Sequence, residues 1–75
     1  MMSTLKEYFE FEKEARSIRR KMADWKFIND QPEPIRTALI VFVETGDLWV
    51  SAKLAGMKME EFNELRIKAK IPMVI

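Results

Sequence analysis

The chain has 75 residues, 13 of them basic and 12 acidic for a net charge of +1, with no cysteine and no histidine. That describes one small domain near the lower limit of independent stability, without a disulfide to support it, and less basic than a dedicated non-specific nucleic-acid binder. Carboxylates are the only metal ligands left, and no nucleophile–base pair stands out, so neither a metal, a cofactor nor an enzyme is expected.

With 48% apolar residues and eight aromatics, the chain can still build a core. The longest apolar run, Ala38 to Val43, is far short of a membrane span. The amino terminus turns polar within a few residues, so no signal peptide is expected. A soluble cytoplasmic protein is the expectation. High charge with one glutamine and two asparagines fits the composition expected of a thermophile protein.

In chain order, Thr4 and Glu7 fit a capping box that opens a long helix over residues 4–26. Along it Tyr8, Phe11, Ala15, Ile18, Met22 and Trp25 recur every three and four residues, a heptad seam. Its flanks run from acidic (Glu12, Glu14) to basic (Arg19, Lys21, Lys26), as the helix macrodipole favours. Such a helix suits antiparallel pairing with a second copy, and equally suits packing on its own domain. Residues 27–34 read as a connector, because Asp30 and the two prolines favour a turn and a new helix start. Ile35 to Thr45 is apolar nearly all round, which predicts a helix buried on most faces, ended by Gly46. Asp47 caps the next helix, Leu48 to Ala55. The last runs from Met59 to about Lys70, with Lys58 as a less usual cap and Pro72 as its stop. Residues 71–75 form a short extended apolar tail.

The segment from Leu48 to Ile67 has the spacing of a helix-turn-helix. Ala52 is small where two helices cross, Gly56 permits the reversal, and Met57, Phe62 and Leu65 point back between the helices. The predicted fold is therefore all-α, with a long N-terminal helix followed by a three-helix helix-turn-helix unit over residues 34–70. In that fold the second motif helix enters the major groove. Asn63 is a candidate base reader, and Met59 and Arg66 lie on the same helix. Lys53 and Lys58 are candidate phosphate contacts. Arg16 and Arg20, one turn apart on the first helix, offer a second basic surface or a solvated face. Glu60, Glu61 and Glu64 oppose the phosphate field and read as a solvated face, with Glu64 paired to Lys68.

Candidate interface residues are the seam positions Tyr8, Phe11, Ile18, Met22 and Trp25, together with Trp49 and the tail residues Met73, Val74 and Ile75. Trp49 is either a partner anchor or packed on the first helix. The tail could pair as an edge strand with another chain or fold over its own core.

The stretches Gly46–Met57, Glu61–Leu65 and Ile71–Val74 resemble a group of small prokaryotic proteins that combine a helix-turn-helix with an Ile-Pro tail. These are often described as antitoxins of toxin–antitoxin pairs. The resemblance covers about thirty residues. It implies a small regulator that binds DNA through Lys58 to Ile67 and a toxin through a terminal segment. A glycine commonly precedes the Ile-Pro in that group, and here Lys70 stands in its place. Two functions follow as expectations. One is a homodimeric DNA-binding regulator, antitoxin-like. The other is a protein-interaction module that keeps the helix-turn-helix fold without binding DNA.

Overall fold

Helix α3 (Ile35–Thr45) is the element on which the others are assembled. In the computed structural model, which describes residues 4–74, α1 (Thr4–Met22), α2 (Trp25–Asp30) and α4 (Leu48–Ala55) all pack on it, and α5 (Met59–Lys68) packs on α4. The described residues contain these five helices and no strand. The near-continuous apolar sequence of α3 explains its place: Ala38, Leu39, Phe42 and Val43 are fully buried, and Ile40 is packed against them.

The first helix is shorter than its heptad pattern predicts. It ends at Met22, and Trp25–Asp30, part of which was expected to be a connector, forms the separate helix α2. The break is made by Asp24. Its backbone N–H donates to the Ala69 carbonyl at 2.7 Å, and its side chain accepts from the Phe27 N–H at 3.0 Å, capping α2. The Trp25 indole N–H donates to the Arg20 carbonyl at 2.9 Å, satisfying one orphan acceptor at the end of α1. Helix α2 then inserts Ile28, completely buried, into the core.

Of the heptad seam on α1, only Ala15 lies on the face that packs on the body. Ala15, Arg19 and Ala23 turn inward, one per turn, whereas Tyr8, Phe11, Ile18 and Met22 stay 41–58% exposed. Helix α1 is about 28 Å long, and its first half, with Leu5 and Phe9 also exposed, projects beyond the body. The radius of gyration is accordingly 13.1 Å, against about 11 Å for a compact domain of this length.

The stops at Gly46 and Gly56 and the cap at Asp47 follow the predicted chemistry. Gly46 and Gly56 both have φ of 69°. At Gly56 the Met57 N–H reaches the Ala52 carbonyl at 3.0 Å and the Gly56 N–H reaches that of Lys53 at 3.1 Å, the paired bonds of a Schellman stop. Asp47 caps α4 by accepting from the Val50 N–H at 3.0 Å. Helix α5 ends two residues earlier than expected because the same Schellman pair closes there, Ile71 N–H to Arg66 at 3.2 Å and Lys70 N–H to Ile67 at 2.9 Å. Lys70 therefore occupies the left-handed region at φ 59°, a conformation glycine adopts without strain. Ile71 drops into the core at 1% exposure, so the start of the tail folds over its own body; Pro72 and Val74 are half-buried and Met73 is exposed. Ile75 lies outside the described residues.

The core brings Phe42 of α3 edge-on to Phe62 of α5, ring centres 6.2 Å apart, with Ile28, Leu39, Val43, Ala52 and Ile71 around them. Each large buried side chain contributes about 1.5–3 kcal/mol.

A denaturation series separates backbone strain from packing at the helix stops. Gly56→Ala adds a Cβ that meets nothing within 4 Å, so it costs only the left-handed backbone term, roughly 1–2 kcal/mol. Gly46→Ala costs more, because its Cβ would stand 2.7 Å from the Arg19 guanidinium. Lys70→Gly gains up to about 1 kcal/mol. Urea midpoints at constant slope measure all three.

Candidate nucleic-acid interface

Helices α4 and α5 meet across the turn at Gly56. Ala52, 1% exposed, is where they approach, and Phe62 is buried beneath, with Met57 and Leu65 half-buried beside it. Lys58 caps α5 without a side-chain bond; the Glu61 carboxylate instead reaches back to the Lys58 N–H at 3.1 Å. Glu61 is thus a helix-start group, placed where the macrodipole favours a negative charge.

The predicted DNA-contacting residues fall into three groups. Lys53, Lys58 and Met59 are exposed around the turn, and the Lys53 ammonium stands 5.4 Å over the Trp49 ring. Asn63 and Arg66 are half-buried and engaged with each other. The Arg66 Nε donates to the Asn63 side-chain oxygen at 2.8 Å, and its Nη1 donates to the Ile71 carbonyl at 2.7 Å. The guanidinium also lies 6.0 Å over the Phe42 ring, and its burial lowers its pKa from the ordinary value. Asn63 therefore does not present both halves of its amide outward, as bidentate adenine reading requires.

Arg16 and Arg20 form the third group, directed at the C-terminal end of α3. Arg16 donates to the Glu44 carbonyl at 3.0 Å, and Arg20 makes a forked contact with the Glu44 carboxylate, Nε to Oε2 at 2.8 Å. Between them Arg19, 3% exposed, donates to the Val43 carbonyl at 2.7 Å. Three arginines thus meet the negative end of α3 and its terminal carboxylate. They lie beside the start of α4, while Lys53 is in its last turn and Lys58 lies beyond it.

The outermost ridge of α5 is Glu60, Glu64 and Ile67, all exposed. Among the described residues Glu64 and Lys68 form no ion pair, contrary to the spacing-based expectation. Trp49 is 57% exposed rather than packed on α1, and Val50 and Leu54 are exposed near it. Sequence reasoning missed this apolar face of α4, although the spacing 49, 50, 53, 54 marks one side of a helix. It also missed Glu44 as the shared acceptor; the only signal was an acid at the end of an otherwise apolar helix. A shallow open depression is lined by Leu48, Met59, Glu60, Asn63, Arg66 and Met73, so the tail borders the same face of α5.

Among the described residues no cluster of acidic side chains could hold a metal ion, and no helix is long and apolar enough to cross a membrane. Comparison with protein-family models, with curated proteins and with solved structures finds no match for this chain.

The Glu44 carboxylate is held below its ordinary pKa, chiefly by the hydrogen bond from Arg20, with burial opposing. A group whose folded pKa is depressed gives stability that is present above the unfolded value and lost as pH falls through the folded one. Acid titration of unfolding should therefore show Glu44→Gln less stable than the parent near neutrality. The two should converge as pH drops below the ordinary carboxylate range.

Proposed function

We propose that this chain is a small helix-turn-helix regulator of the antitoxin-like kind that binds DNA as a homodimer, with α5 presented to the major groove. The observation that carries the reading is the α4–α5 turn: Ala52 at the crossing, left-handed Gly56 closing α4, Phe62 beneath, and two exposed lysines, Lys53 and Lys58, on either side of the turn. The N-terminus of α5 adds backbone N–H groups that favour a phosphate. The resemblance to Ile-Pro-tailed antitoxins supports the regulator class. The left-handed backbone at Lys70 is consistent with it, because it is the position where that group commonly carries glycine.

With Asn63 and Arg66 bonded to each other and Arg16 and Arg20 bonded to Glu44, DNA contact rests on Lys53 and Lys58 around Met59. The salt dependence of binding follows from that number. Two phosphates per protomer predict a slope of log K against log salt of about −2 per protomer. Mobility shifts on the chain's own promoter region at several salt concentrations measure it. Lys53→Ala and Lys58→Ala should each remove about one unit. No shift at low salt would overturn the reading.

A second reading is favoured by one specific observation, the acidic ridge Glu60–Glu64 ending in exposed Ile67. In it the same scaffold binds a protein partner, as the toxin of a toxin–antitoxin pair would be, and not DNA. Charge reversal separates the two. The double variant Glu60→Lys/Glu64→Lys binds DNA more tightly under the first reading. Under the second it leaves DNA binding absent and abolishes partner binding.

A further inference from the structure

The seam on α1 is left open by the fold. Tyr8, Phe11, Ile18 and Met22 lie 41–58% exposed along one side of a helix whose packing face is Ala15, Arg19 and Ala23. A chain of 8.9 kDa exposing 5368 Å² exceeds the roughly 4,800 Å² expected of a compact monomer. That surplus of a few hundred Å² is of the order a standard interface removes per partner, about 800 Å².

The charges beside the seam select what covers it. Positions 12 and 19 flank one edge, and there Arg19 is turned into its own body. Positions 7, 14 and 21 flank the other edge, where Glu7, Glu14 and Lys21 are all exposed. A parallel pair of α1 helices would bring Glu7 beside the partner's Glu12 and basic end beside basic end, both repulsive. An antiparallel pair in which Phe11 meets the partner's Met22 brings Glu14 beside the partner's Lys21. By symmetry that favourable contact is made twice.

We infer that the open face of α1 is the dimerisation surface, occupied by α1 of a second copy running antiparallel. The projecting first turns then lie along the partner's body, where Tyr8 approaches the partner's Trp25. This surface is on α1, away from the α4–α5 turn, so the dimer stands whether or not DNA is bound.

Sedimentation of the full chain at high micromolar concentration tests it without DNA. The expected result is a species of twice 8.9 kDa. Ile18→Asp should yield a monomer of unchanged helicity, since the side chain is already half in solvent. Glu14→Lys should weaken the dimer by about tenfold, and adding Lys21→Glu should restore it. Because the chain has no cysteine, a mixture of Glu14→Cys and Lys21→Cys should cross-link on oxidation more readily than either variant alone. A monomeric parent overturns the inference. So does a dimer indifferent to both Ile18→Asp and Glu14→Lys, and so does preferential cross-linking of either cysteine variant with itself.

Discussion

The burial of Arg19 at the C-terminal end of α3 is the contact on which the arrangement of this molecule depends. A guanidinium is always charged and presents its donors in a fixed fork, so burying one demands acceptors in matching geometry. The end of a helix offers them, because its last carbonyls have no intrahelical partner. Arg19 takes the Val43 carbonyl, Arg16 takes that of Glu44, and the Glu44 carboxylate takes Arg20. Burial lowers the Arg19 pKa, and the nearby Glu12 opposes that shift. Gly46 completes the site, since any side chain there would occupy the space of the guanidinium. One glycine thus serves both the reversal of the chain and the docking of α1.

This contact also orients everything else on α1. Once Arg19 points inward, Ala15 and Ala23 follow, and the larger seam residues Tyr8, Phe11, Ile18 and Met22 are left on the flank. The cluster of basic residues that looks in sequence like a phosphate-binding surface is largely a cap on a helix end. Beside the turn between α4 and α5 two lysines, Lys53 and Lys58, stay exposed, and the outer ridge of α5 carries the exposed carboxylates of Glu60 and Glu64. The fold alone does not determine what the molecule binds.

Much of the fold was legible because it rests on local chemistry. Asp47, Gly46 and Gly56 act within a few residues of themselves, and the burial of Ala52, Phe62 and the apolar face of α3 follows from periodicity. What escaped depends on distant partners. The break at Asp24 needs the Ala69 carbonyl, forty-five positions on. The inward turn of a charged residue at 19, beside a seam of apolar ones, needs the carbonyls of α3. Part of the candidate site was legible as residue types: Lys53, Lys58 and Met59 are exposed as a DNA contact requires. Asn63 and Arg66 were not, since nothing in their spacing shows that the tail would return to take a bond from Arg66.

That last bond makes Arg66 a shared donor. The same guanidinium holds the amide oxygen of Asn63 on α5 and the carbonyl of Ile71 at the root of the tail. A ligand that draws the tail away leaves a half-buried cation with one acceptor fewer, and a ligand that claims Asn63 does the same from the other side. Thermodynamic linkage makes such effects reciprocal. A ligand that takes Asn63 and one that draws Ile71 away therefore act on each other through a single side chain, Arg66.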